Sequence, residues 1–150
     1  MTNAAINGNI GDPFVNLEDL QNALGFAYYS LGDFRKAIKY LERYLKILKE
    51  VGDRAGEGKA YGDLGKAFKN LGDFQKAVEY HERHLKILKE VGDRAEEGRA
   101  YCNLGHAYHS LGDLQKEIEY HERYLKFLKE VGDRAREGIA HYYFGTPMTV

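Results

Sequence analysis

Apolar residues recur at helical spacing along most of the chain, and Gly-Asp dipeptides interrupt this pattern at even intervals from Gly32-Asp33 to Gly132-Asp133. The segment that follows Asp73 is typical, with apolar side chains at Phe74, Ala77, Val78, Leu85 and Leu88. This spacing places them on one face of an α-helix. Glycine tolerates the left-handed conformation just past a helix end, and aspartate caps the next helix. Each Gly-Asp pair therefore predicts a helix end followed by a helix start.

The pattern predicts seven helices, over residues 17–31, 34–51, 54–71, 74–91, 94–111, 114–131 and 134–144. Residues 1–15 lie outside the pattern and contain Gly8, Gly11 and Pro13, so we expect a flexible leader there. Residues 16–144 are expected to form one helical domain, and residues 145–150 a C-terminal tail.

A 40-residue repeat underlies this pattern. Residues 31–70 and 71–110 align without a gap and agree at 27 of 40 positions, and a third copy begins at Leu111 and diverges after Gly138. A single helix pair is too small to bury its own apolar face, so successive copies must stack. The sequence therefore predicts an all-α solenoid of three antiparallel helix pairs and one terminal helix.

Three glycines occupy equivalent positions inside the first helix of each pair, namely Gly25, Gly65 and Gly105. Glycine inside a helix costs about 1 kcal/mol relative to alanine. A cost repeated at three matching positions predicts that the partner helix approaches closely there.

The repeated residues resemble the tetratricopeptide repeat. The second helix pair contains the pattern Tyr61-x-x-Leu64-Gly65-x-x-Phe68, followed by Ala77-x-x-x-His81. In the third copy Glu117 replaces the alanine of the family signature. The usual repeat is shorter than the one seen here and closes with a proline. This 40-residue variant, with Val-Gly-Asp-Arg-Ala instead, resembles the repeats of LGN/Pins-type adaptors over residues 17–144.

This resemblance implies a right-handed superhelix whose first-type helices line a concave groove for a peptide or protein segment, without catalysis. The groove residues that it implies are Asn22, Phe26, Tyr29, Lys59, Asp63, Lys66, Arg99, Asn103, His106 and His109. Arg99 and Asn103 match an Arg/Asn pair that holds an acidic side chain and the backbone of a peptide in the family. Phe26 and Asp63 replace groups that the chaperone-binding members require, which argues against a chaperone-tail receptor.

Charge narrows the class of partner. The 22 Lys and Arg residues nearly balance the 23 Asp and Glu residues, giving a net charge of −1, so we expect neither a nucleic-acid nor a membrane partner. Six charged residues on the expected groove side sum to +2, which favours a protein or peptide with some acidic residues. They are Asp19, Lys59, Asp63, Lys66, Lys69 and Arg99.

Reactive side chains are few. Cys102 is the only cysteine, which excludes an internal disulfide framework and favours the cytoplasm. Two histidine pairs at helical spacing, His81 with His84 and His106 with His109, could each offer two imidazoles to a metal, but no third ligand is apparent. We interpret His81 as a packing residue and expect no metal or cofactor. No catalytic motif is present, so an enzyme is not expected.

The terminal helix suggests an alternative function. It carries Ile139, Tyr142, Tyr143 and Phe144 but has no antiparallel partner after it. An exposed apolar side marks an interface. The chain could therefore be a structural or engineered repeat fragment that self-associates as a homo-oligomer through this end, unless residues 1–15 fold over it.

Overall fold

The computed structural model describes the backbone of residues 13–144 and the side chains of residues 17–135. Every secondary-structure element in this part of the chain is an α-helix. Its six helices are α1 (Pro13–Leu31), α2 (Phe34–Val51), α3 (Arg54–Leu71), α4 (Phe74–Val91), α5 (Arg94–Leu111) and α6 (Leu114–Phe144). Each helix packs on the next one along the chain. The expected all-α solenoid of antiparallel pairs is confirmed, with α1, α3 and α5 as first helices of the pairs.

Five Gly-Asp junctions form the turns that the sequence predicts. Their glycines adopt positive φ values between 76° and 95°. The aspartate side chain that follows each glycine accepts a hydrogen bond from a backbone N–H three residues later, as in Asp53 Oδ1 with Gly56 N at 2.9 Å. The bounds of α2 to α5 consequently match the predicted ranges.

The sixth junction, Gly132-Asp133, does not form a turn. The predicted helices 114–131 and 134–144 are one uninterrupted helix of 31 residues, so the part of the chain described here has six helices rather than seven. Local sequence does not explain the difference, because Glu-Val-Gly-Asp-Arg-Ala occurs at residues 50–55, 90–95 and 130–135.

Contacts with a later helix distinguish the two turned copies of this hexapeptide. Arg54 Nε donates to Glu90 Oε1 at 3.0 Å, and Arg94 Nη2 donates to Glu130 Oε1 at 2.6 Å. Each arginine thus binds the glutamate of the next hexapeptide along the chain, on the helix that packs against its own. Among residues 17–135, whose side chains the structure describes, Arg134 makes no ion pair of this kind.

The first helix also begins earlier than predicted. α1 starts at Pro13, within the segment expected to be a leader. Proline is well tolerated in a first helical turn, where its missing N–H would have had no helical acceptor. The predictions for the rest of the leader and for the tail fall on residues 1–12 and 145–150, outside the described residues. No helix over residues 13–144 is long and apolar enough to cross a membrane.

The interior glycines lie where the paired helices touch, as predicted. A Cβ atom added to Gly65 would lie 2.7 Å from His81 Cε1, and one added to Gly25 would lie 2.8 Å from Leu41 Cδ2. A Cβ atom on Gly105 would lie 2.5 Å from His121 Cε1. These contacts fix the spacing between α1 and α2, α3 and α4, and α5 and α6.

We predict that Gly65→Ala lowers the free energy of unfolding by about 1–3 kcal/mol, because the new methyl group overlaps the buried ring of His81. Gly132→Ala is the matched control. Gly132 also lies in a helix, but nothing lies within 4 Å of its added Cβ, so this change stabilises by up to about 1 kcal/mol. Urea unfolding measures both values, and an equal response of the two variants would contradict the close-packing explanation.

Candidate functional site

A polar cavity of about 400 Å³ lies between the first-type helices α3 and α5. Equivalent positions of the second and third repeats line it side by side, because stacking brings α3 and α5 onto the same side of the solenoid. The lining includes Lys59, Gly62, Asp63, Lys66, His84, Arg99 and Asn103. Five of the ten predicted groove residues therefore meet in one place.

A second cavity of about 150 Å³ adjoins the first. Its lining combines Gly25, Phe26, Tyr29 and Leu41 with Asp63 and Lys66, which also line the larger cavity. The two cavities together form a trough from α1 to α5, called the groove below. Phe26 is 42% exposed and gives the α1 end an apolar surface.

Two buried oxygen atoms make no hydrogen bond, one on the groove residue Asp63 and one on Asn22 of α1, which lines neither cavity. Asp63 Oδ2 and Asn22 Oδ1 have no partner among the described residues. Burial raises the pKa of Asp63, and the neighbouring Lys66 and Lys59 partly offset this effect. Asp63 lines both cavities, so its carboxyl group is placed to accept a hydrogen bond from an N–H group of a ligand.

Arg99 and Asn103 lie four residues apart on α5 and line the same cavity. The Arg99 side chain is 66% exposed and pairs with Glu96, at 3.2 Å between Arg99 Nη1 and Glu96 Oε2. An exposed ion pair of this kind contributes only about 0–1 kcal/mol. Arg99 can therefore exchange Glu96 for an incoming carboxylate at little cost.

Tyr29 is less available than the sequence suggested. It is half-buried, its hydroxyl oxygen accepts a hydrogen bond from Asn70 Nδ2 at 2.9 Å, and its ring packs edge-on against Phe34. These contacts tie α1 to α2 and α3. Tyr29 thus supports the groove wall, and Phe26 is the more accessible aromatic ring.

His106 and His109 lie outside the lining of both cavities. His109 Nδ1 lies 3.0 Å from Glu117 Oε1, and His121 Nε2 lies 3.5 Å from Glu117 Oε2. The rings of His106 and His121 meet edge to face with centroids 5.4 Å apart. Sequence reasoning noticed Glu117 as an exception to the repeat but missed this cluster, because its members lie on two helices.

No group of three potential ligands with metal-binding geometry occurs among the described residues.

The other histidine pair lies beneath the groove. His84 lines the larger cavity and was missed as a lining residue, and His81 is buried against Gly65, which confirms its packing role. Burial, together with the neighbouring His84, Lys66 and Lys69, lowers the pKa of His81 from 6.5 to about 3. Burial also lowers the pKa of His84. Both rings are therefore neutral at pH 7.

We predict that stability falls as the pH drops from about 6.5 toward 3. In this range the unfolded chain binds a proton at His81 that the folded chain does not, which lowers the free energy of unfolding by up to about 1.4 kcal/mol per pH unit.

His81→Leu, which copies Leu41 of the first repeat, should flatten this dependence. Gln75→Leu, at an exposed position of the same helix that carries no titratable group, should leave it in place. Denaturant unfolding at several pH values measures the slope, and an unchanged slope in His81→Leu would contradict the assignment.

The predicted self-association residues Ile139, Tyr142, Tyr143 and Phe144 belong to the backbone of α6. Their side chains fall outside the described residues. The part of α6 that is described exposes Leu114, Ile118, Leu125, Leu128 and Val131.

A helical-repeat solenoid with a groove along its first-type helices defines a protein-interaction module. Two overlapping segments, residues 16–90 and 59–130, match the family model of the tetratricopeptide repeat. The chain belongs to the tetratricopeptide repeat family, which confirms the resemblance seen in the sequence. A comparison with curated proteins gives no significant match.

Solved structures with the same fold support this assignment. The tetratricopeptide repeat domain of Arabidopsis FLU superposes with a TM-score of 0.73 at 24% identity, covering 79% of this chain and 99% of that one. A signal-transduction ATPase with a tetratricopeptide repeat sensor from Pyrococcus horikoshii gives 0.73 at 25% identity, covering 83% of this chain and 19% of that one. The TPR2AB domain of yeast Sti1, solved in complex with pHSP90, gives 0.63 at 21% identity, covering 86% and 51%.

Proposed function

We propose that this chain binds a peptide or protein segment in the groove and has no chemistry of its own. The observation that carries the proposal is the composition of the groove. It combines an exposed ring at Phe26, donor side chains at Arg99 and Asn103, and the carboxyl group of Asp63, which lines both cavities. Side-chain donors and acceptors of this kind satisfy the carbonyl and N–H groups of an incoming backbone, and exposed aromatic rings anchor partners.

An acidic residue in the partner fits the larger cavity. Lys59 and Lys66 line it and make no ion pair within residues 17–135, and the third cation, Arg99, is held only by an exposed glutamate. Asp63, Asp93 and Glu96 line the same cavity and balance these three cations in formal charge, although burial raises the pKa of Asp63, which favours its neutral form. A carboxylate placed among the three cations would form charge-assisted hydrogen bonds.

The protein relatives support binding but not a particular ligand. The Sti1 domain was solved with pHSP90, which supports peptide capture by this fold. Phe26 and Asp63 still depart from the pattern of chaperone-binding members, so we propose a different acidic segment. The narrower likeness to LGN/Pins-type adaptors stays a prediction. A cytoplasmic location is also proposed, on the basis of the single free cysteine, Cys102.

We predict that peptides selected from a random display library on the wild-type chain are enriched in Asp and Glu. The double variant Arg99→Ala/Asn103→Ala should bind them about tenfold or more weakly, because it loses a charged and a neutral hydrogen-bond donor. Titration of a fluorescent selected peptide measures the affinity, and added salt should weaken it.

Lys86→Ala is the matched control, since Lys86 is an exposed cation on the second-type helix α4 and should leave affinity unchanged. Selected peptides without acidic enrichment, or with equal affinity for the double variant, would contradict groove binding as proposed.

A further inference from the structure

The described part of α6 exposes an apolar face that the other second-type helices bury. Leu125 is 53% exposed, whereas its equivalent Leu85 in α4 is 6% exposed. Leu128 is 45% exposed, whereas Leu88 is 6% exposed. Ile118 is likewise exposed, in contrast to Val78. The sequences of these helices are nearly the same, so sequence does not cause the difference in exposure. The difference arises because no described helix covers this face of α6.

The cover in the interior repeats is the first-type helix that follows. α2 packs against α3, and α4 packs against α5. A Cβ atom on Gly56, in the first turn of α3, would lie 3.0 Å from Leu48 Cδ2 of α2. Leu48, the α2 equivalent of Leu128, therefore faces the helix that comes next. The open face of α6 is shaped for a first-type helix.

Residues 134–144 carry the sequence of such a helix. They begin Arg-Ala-x-Glu-Gly-x-Ala, as do α3 at residues 54–60 and α5 at residues 94–100. In this chain, however, residues 134–144 continue α6 without a break. A segment that extends a helix in line cannot fold back on the face of that same helix, so it does not cover its own α6.

A second copy of the chain can supply the helix that covers the open face of α6. First-type helices run antiparallel to the second-type helix that they cover. If two α6 helices lie antiparallel, residues 134–144 of each copy reach the open face of the other copy. The part of each face around Leu128 is then covered, the two contacts are related by one two-fold axis, and the assembly closes at two copies. We propose that this chain forms a dimer by reciprocal exchange of residues 134–144.

The other exposed end of the solenoid fits the open face less well. α1 has Leu20 where α3 and α5 have the fully buried Ala60 and Ala100. It also has Leu17 and Glu18 where α3 has Glu57 and Gly58. A head-to-tail stack of α1 on α6 would place larger side chains at the tightest contacts, and it would grow into open chains instead of closing.

The interior repeats give the register of the exchange. Lys49 Nζ lies 5.6 Å from the ring centroid of Tyr61, and Lys89 Nζ lies 5.8 Å from that of Tyr101. The positions equivalent to Lys89 and Tyr101 in the next repeat are 129 and 141. In the exchanged dimer, residue 129 of one copy therefore lies beside residue 141 of the other. If residues 134–144 instead fold back within one copy, positions 129 and 141 of the same copy lie side by side. The location of this contact therefore distinguishes the two arrangements.

The first measurement is the mass of the full chain in solution from micromolar to millimolar concentration, by light scattering. We expect twice 17.1 kDa. Leu125→Glu/Leu128→Glu should give the monomer, because it places charge at two exposed positions of the interface without touching the described core. Lys126→Glu adds an acidic residue to the same helix outside this face and should leave the dimer intact. Circular dichroism checks that both variants remain helical.

The second measurement places spin labels in the Cys102→Ser background. One preparation carries the label at Lys129→Cys, the other at His141→Cys, and the two are mixed and allowed to exchange. Reciprocal exchange predicts a short distance between labels on different copies. A monomer at all concentrations, growth beyond dimers, or a 129–141 contact only when both labels share one chain would each overturn the proposal. None of these results bears on peptide binding in the groove.

Discussion

Burial of one apolar helix face by the next helix is the interaction on which this structure depends. Each second-type helix in the interior has a neighbour on both sides, and its leucines are buried between them. Glycines bring the paired helices close enough for a buried ring such as His81 to pack on the backbone of α3. Because stability is shared among neighbours, no single pair is self-sufficient, and the ends of the array behave differently from its middle.

The same stacking creates the candidate site. Alignment of α3 and α5 brings equivalent positions of two repeats together, so the differences between the repeats decide the chemistry of the groove. Lys59 and Asp63 in one repeat face Arg99 and Asn103 in the next. The backbone of the solenoid supplies the trough, and a few substitutions between near-identical copies supply donors, acceptors and charge.

Sequence reasoning located the interior helices and the close glycine contacts, because both follow from local signals that recur with every helix or every repeat. It failed at Gly132, where an identical hexapeptide remains helical, because the turned copies at Gly52 and Gly92 are each followed by a helix that packs on a later one, and this packing cannot be read from the hexapeptide. It also failed to connect Glu117 with His109 and His121, since that cluster depends on how α5 and α6 are rotated against each other. Pattern and spacing predict elements, whereas contacts between elements need the packed structure.

Packing of the following segment on a later helix, and not local sequence, decides whether a Gly-Asp junction turns. Backbone Cα chemical shifts of the full chain test this most directly, by comparing Gly132 and Asp133 with Gly52, Asp53, Gly92 and Asp93. We predict helical shifts at residues 132 and 133 and turn shifts at the other two junctions. Turn shifts at all three junctions would contradict the account.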